Sequence, residues 1–161
     1  MEKQHLSYSD VEQLVGTIRD QIVSGDWLPT MIVGICRGGL IPATLLSHQL
    51  GVPMRVVHVS LREGQSQRES ANWIADMVKA NHRLLLVDDI NDSGATFDWI
   101  DRDWHHQCAL AGVSDQQRIN TRWAALLTKI TSNVMVDYSG RALDLSQQHI
   151  WWEFPWERTT T

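Results

Sequence analysis

The run Leu84-Leu85-Leu86-Val87 ends in two adjacent carboxylates, Asp88 and Asp89, and then turns through Ser93-Gly94 into a helical stretch. A short apolar run bounded by turn residues is a buried strand. A strand that feeds straight into a helix is one half of a βαβ unit. The rest of the chain repeats this alternation. Residues 31–35 read as another buried strand, followed by Gly38-Gly39 and a helix over 40–50 with Pro42 in its first turn, where proline is tolerated. Upstream, Ser9-Asp10-Val11-Glu12 has capping-box spacing. Val11, Leu14, Val15, Ile18 and Ile22 then form a helical stripe that Gly25 ends. Residues 52–60 are β-branched and strand-like, 62–70 a polar exposed loop, and 71–80 a helix ending at Asn81. A helix is predicted from about 96 to 106, a loop or short helix over 111–120, and strands over 122–128 and 134–138. The pattern is α/β: a mostly parallel sheet flanked by helices, with ligands expected beyond the carboxyl ends of the strands.

At 161 residues the chain is close to the size of one domain, and a single domain over 1–161 is expected. No apolar run approaches the roughly 18 residues of a membrane helix, and the first residues lack the apolar core of a secretory signal. Fourteen Lys+Arg against nineteen Asp+Glu give a net charge of −5, which disfavours a nucleic-acid binder with a broad basic face. Cys36 and Cys108 make neither a disulfide framework nor a zinc spacing, so the reducing cytoplasm is the expected setting. His105-His106 beside Cys108 sits at a predicted helix end and reads as a helix terminus rather than a metal site. The eight tryptophans are expected mostly as core and interface filler.

Adjacent carboxylates at a strand end repel each other unless a cation or hydroxyl donors lie near. Oxygen ligands of this kind suit Mg²⁺, which commonly bridges one or two carboxylates and a phosphorylated substrate. The small residues from Ser93 to Thr96 let backbone N–H groups face an anion at a helix N-terminus, with the hydroxyls of Ser93 and Thr96 as further donors. Taken alone, Asp92-Ser93 would also serve as an ordinary helix N-cap. The full order of apolar strand, Asp-Asp, three residues and Ser-Gly-x-Thr favours a sugar phosphate held between acids and turn.

The segment Val87-Asp88-Asp89-Ile90-Asn91-Asp92-Ser93-Gly94-Ala95-Thr96 resembles the phosphoribosyl pyrophosphate signature of type I phosphoribosyltransferases. That resemblance implies their fold, with a small hood of C-terminal and N-terminal residues over the base site. It implies that Asp88 and Asp89 address the ribose hydroxyls, that Asp89 partly holds Mg²⁺, and that Ser93, Gly94, Ala95 and Thr96 bind the 5′-phosphate. Asp92 becomes the candidate to accept or share the proton near N7 of a base. Arg37-Gly38-Gly39 takes the place of the loop that grips the diphosphate, with Arg37 facing developing negative charge and a strained, non-proline cis peptide implied between Arg37 and Gly38. Cys36 beside it reads as a small buried residue. The stretch 60–70 corresponds to the mobile lid, although Ser60-Leu61 departs from the Ser-Tyr of many relatives and no catalytic residue is assigned there.

Lys129, Asp137-Tyr138, Trp151 and Pro155-Trp156-Glu157 have a spacing similar to the xanthine-guanine branch of the purine enzymes. There a lysine meets the exocyclic O6 of the base, an aromatic at the Trp151 position stacks on the purine, and the carbonyl of the next residue, here Trp152, accepts from a 2-amino group. The implied reaction is 6-oxopurine plus phosphoribosyl pyrophosphate giving a nucleoside 5′-monophosphate and diphosphate, in a homo-oligomer, dimer or tetramer, with Arg37 near a subunit boundary. Ile130, Ser139 and the long 103–120 stretch depart from the pattern and bear on base identity. Regulators of the same fold that bind the donor or a nucleotide without catalysis are the alternative, as is a transferase for another or modified base.

Overall fold

The structure is a computed structural model that describes residues 2–60, 67–114, 116–117 and 119–158. Among these residues, eight strands and four α-helices follow in the order β1 (Glu2–His5), α1 (Tyr8–Ser24), β2 (Met31–Cys36), α2 (Leu40–Leu50), β3 (Met54–Ser60), β4 (Gln67–Arg68), α3 (Ile74–Lys79), β5 (Arg83–Asn91), α4 (Ala95–Leu110), β6 (Asn120–Lys129), β7 (Tyr138–Leu143) and β8 (Ile150–Glu153). Six strands make one sheet in the order β4-β3-β2-β5-β6-β7. Its pairings are parallel except that between β3 and β4. A separate two-stranded parallel sheet joins β1 to β8.

The strands are apolar on both faces because helices cover both. Side chains alternate along β5: Leu84 and Leu86 enter one core cluster with Ile74, Val78, Phe97, Ile100 and Trp104. Leu85 and Val87 enter the other, with Val11, Leu14, Val15, Ile18, Ala43 and Leu46. The five stripe residues of α1 are all buried, as their spacing requires. Among the described residues no helix is long and apolar enough to cross a membrane.

Three sequence expectations shift. The α1 capping box begins at Ser7, not Ser9: Ser7 accepts from the Asp10 N–H, and Asp10 accepts from the Ser7 N–H at 2.8 Å. The last strand of the large sheet covers Tyr138–Leu143 rather than 134–138, because the Asp137 carboxylate and N–H lead into the ladder beside Trp123 and the preceding residues pack elsewhere. β1 is polar throughout and β8 is only four residues long, so neither shows as a strand in sequence, yet each supplies the other's ladder partners. Most of the expected lid, residues 61–66, lies outside the described residues.

Candidate functional site

β5 outruns its neighbour. On one side β2 pairs with it only as far as Gly34↔Val87. On the other, β6 follows to Ile90↔Leu127 and Asn91↔Thr128. Asp88 and Asp89 therefore stand inside β5, not beyond its end, at the point where β2 has turned away. The turn that replaces β2 there is Arg37-Gly38-Gly39. Its cis peptide lies between Cys36 and Arg37, one residue before the implied position.

The two glycines of this turn are required by close approach. A side chain on Gly38 would collide with the Asp89 carboxylate, and one on Gly39 with the Val87 carbonyl oxygen. The Arg37-Gly38-Gly39 turn and the acidic strand are thus in contact, Arg37 projecting to solvent and Asp89 only 8% exposed. Asp88 is half-buried, and its Oδ1 accepts from the Asp89 N–H at 2.9 Å. Burial pushes the half-buried Cys36 thiol up, against a smaller opposing pull from Arg37, so it is not an activated thiolate.

After β5 the chain passes Asp92 and Ser93 and enters α4 through Gly94, whose φ of +87° favours glycine. A side chain there would also lie 2.8 Å from the Val134 N and Cγ2. Ser93 Oγ accepts from the Ala95 N–H at 3.4 Å. The first-turn amides of α4, including that of Thr96, have no i−4 carbonyl within the helix and point out of its end with the positive pole of its dipole. A hollow of about 320 Å³ opens beside this turn, lined by Ser93, Gly94, Ala95, Asp98, Asn133 and Val134. The Ser93 hydroxyl and the helix-end amides are donors suited to an anion, while the Asp98 carboxylate on the same wall opposes one.

Lys129 is the last residue of β6, and its Nζ lies 2.7 Å from Asp92 Oδ1. The lysine side chain is 17% exposed and the aspartate 65%. Two residues that sequence places 37 apart by number, Asp92 and Lys129, thus share one edge of the site. Trp151 and Trp152 belong to β8, where Lys3 and Gln4 are their partners in β1. Trp151 is 47% exposed, whereas Trp152 is buried under the Arg141 guanidinium, 5.8 Å from its ring centroid. Glu153 fastens this small sheet through His5 at 2.5 Å and Lys3 at 3.8 Å.

Asp88 and Asp89 fit a hard cation that takes the rest of its ligands from a bound substrate. The carboxylate of Asp89 occupies the space left by the missing Gly38 side chain, and no group of three metal-ligating side chains gathers among the described residues. In the last two turns of α4, which runs on to Leu110, His105 Nδ1 donates to the Asp101 carbonyl at 2.7 Å and Cys108 enters the core.

Sequence reading missed the residues behind the front row. Asn91, Ser132, Asn133 and Val134 hold the Ser93-Gly94 turn and Lys129 in one frame. The available signal was Asn91 itself, a polar residue inside an otherwise buried strand.

A curated relative, the xanthine-guanine phosphoribosyltransferase of Cereibacter sphaeroides, is 32% identical over 82 residues, covering 48% of this chain and 47% of that protein. The match therefore spans about half the length of that relative. A purine phosphoribosyltransferase structure from Pyrococcus horikoshii has a TM-score of 0.72 at 24% identity, covering 100% of this chain and 98% of the other. A hypothetical protein from Neisseria gonorrhoeae, solved with bound ppGpp, has a TM-score of 0.71 at 20% identity, covering 98% and 90%. Residues 1–100 match the family described as phosphoribosyl transferase domain. Because that match takes in both the Arg37 turn and the whole stretch from Asp88 to Thr96, the chain belongs to the phosphoribosyl transferase domain family.

Proposed function

We propose that residues 1–161 act as one domain that transfers the 5-phosphoribosyl group from phosphoribosyl pyrophosphate to a 6-oxopurine. The products are the nucleoside 5′-monophosphate and diphosphate, a purine salvage reaction in the cytoplasm. The observation that carries this reading is the Lys129–Asp92 pair beside the phosphate-side turn. A 6-oxopurine presents an acceptor at O6 next to an N–H at N7. An ammonium and a carboxylate held side by side offer a donor and an acceptor along one line, the complement of that edge. Adenine would set N–H groups against the ammonium, donor facing donor.

Ser93, Gly94, Ala95 and Thr96 hold the 5′-phosphate, and Asp88 and Asp89 accept from the ribose hydroxyls. Arg37, Gly38 and Gly39 receive the diphosphate end, where Arg37 meets the charge that develops on the leaving oxygen. Asp89 would hold Mg²⁺ in part, and the ion would supply charge neutralisation for the diphosphate. The bond from C1 of the ribose to the diphosphate oxygen breaks with its electron pair, and the bond to the base nitrogen forms. Asp92 takes or shares the proton near N7. Trp151 stacks on the base, and the Trp152 carbonyl accepts from a 2-amino group. Catalysis then comes mainly from positioning and charge complementarity around an oxocarbenium-like transition state. The chain works as a homo-oligomer, dimer or tetramer.

The test is an absorbance screen of guanine, xanthine, hypoxanthine and adenine with donor and Mg²⁺. Turnover of at least one 6-oxopurine and not of adenine supports the reading. Donor binding without turnover of any base favours the second reading, a nucleotide-binding regulator, for which the neighbour with bound ppGpp is the supporting case.

A further inference from the structure

With Asp89, Asn91 is one of two buried polar or charged side chains outside the aromatic set among the described residues, and it is the deeper, at 1% exposure. A side-chain amide taken out of water is costly unless it is paired. Asn91 is paired on both sides. Its Nδ2 donates to the Val134 carbonyl at 2.8 Å, and its Oδ1 accepts from Ser132 Oγ at 2.9 Å. The sheet does not need either bond, since the backbone of Asn91 is already in register with Thr128. Both bonds go to the strap that follows β6. The strap starts at Lys129, whose carbonyl accepts from the Ser132 N–H at 3.0 Å. One residue on, the Asn133 N–H donates to the Ser93 carbonyl at 3.1 Å, and Val134 lies against Gly94. One side chain thereby grips a segment that carries the lysine at one end and leans on the phosphate-side turn at the other.

We propose that Asn91 is a positioning residue that fixes the spacing between the 5′-phosphate turn and Lys129 through the strap 129–134. It touches no substrate. It sets how far the sugar phosphate stands from the ammonium that reads the base, a distance to which an in-line transfer is sensitive. The effect on transfer rests on the function proposed above; the effect on the strap does not.

The experiment compares wild type with Asn91→Leu, Ser132→Ala and the double variant. It reads hydrogen exchange at the Asn133 amide without ligand, and kcat and KM for guanine with donor and Mg²⁺. Circular dichroism and thermal melting establish the fold. The expected result is Asn133 exchange faster by about tenfold in Asn91→Leu beyond any change in global stability, with kcat/KM lowered about 100-fold. Ser132→Ala should show a smaller loss in the same direction, and the double variant no more than Asn91→Leu, since the two residues act as a unit. A purely structural role would lower the melting temperature and leave kcat/KM per folded molecule and the relative protection of Asn133 unchanged; that result overturns the proposal. If Asn91→Leu does not fold, Ser132→Ala decides by the same readouts. If wild type turns over no base, the function proposed above falls, and Asn133 exchange alone still decides whether Asn91 holds the strap.

Discussion

Lys129 and Asp92 meet at 2.7 Å across the gap between the end of β6 and the segment that leaves β5. The aspartate side chain is largely in water, so a pair of this kind contributes only about 0–1 kcal/mol to stability. Its value is geometric: it presents a donor and an acceptor together. Lys129→Ala should therefore leave the melting temperature nearly unchanged while the preference for guanine over adenine falls by about 100-fold or more. Competition assays with the two bases at equal concentration check this, and an unchanged ratio would remove the lysine from base recognition.

Asp92→Ala separates holding the donor from moving the proton. The acids of β5 and the turn into α4 remain, so the dissociation constant for phosphoribosyl pyrophosphate with Mg²⁺ should stay close to wild type. Turnover should drop by about 10²–10⁴-fold. Calorimetry for the donor and single-turnover kinetics for the chemistry give the two numbers separately.

Gly38 and Gly16 make opposite predictions for the same substitution. A methyl group at Gly38 meets the Asp89 carboxylate, so Gly38→Ala should push the acidic strand and its turn apart. Loss of donor affinity and about 1–3 kcal/mol of stability are expected from that overpacking. Gly16 lies inside α1 with nothing within 4 Å of where a Cβ would go. Gly16→Ala should stabilise by about 0.5–1 kcal/mol through helix propensity, without touching activity. Urea titrations of the two variants test both statements.

The α1 cap carries a pH signature. Hydrogen bonds from Ser7, first from its hydroxyl and then from its N–H, hold the Asp10 carboxyl below its ordinary value. Its folded value is thus depressed relative to the unfolded chain. The stability it contributes is present above the ordinary carboxylate range and is lost as pH falls through the lower folded value. Ser7→Ala should lower the urea midpoint at pH 7 and flatten this part of the acid limb below the ordinary carboxylate range. Parallel titrations of wild type and variant that fall with identical slopes would show that the cap plays no part.

The sheet and its helices were readable because burial on both faces leaves a strong pattern. The Leu84–Val87 run, the α1 stripe and the helix over 40–50 all depend on local periodicity, and all stand where that periodicity puts them. What escaped depends on partners distant in sequence. β1 is a polar tetrapeptide until Trp151 and Trp152 arrive beside it, and beyond Lys129 the strap, residues 130–134, has no regular structure whose period could announce it. The carboxylates of β5 were placed at its end by their charge. They lie within the strand because β6 continues to pair after β2 has stopped. The Lys129–Asp92 contact was implied only through the two roles assigned separately, since nothing in spacing alone measures a distance between two strand ends.

The pairing of β1 with β8 brings Glu2 beside Ile150, close to the widest separation the described chain allows. During synthesis, the strands that carry the acidic pair and its turn leave the ribosome well before residues 150–153 exist. The small sheet that supports Trp151 can only form once those late residues find the earliest ones, a closure of high sequence separation and therefore slow. On the function proposed above, a maturing chain should thus acquire its hold on the sugar phosphate before it acquires a platform for the base, and an unfinished molecule would take up donor with no acceptor to receive it.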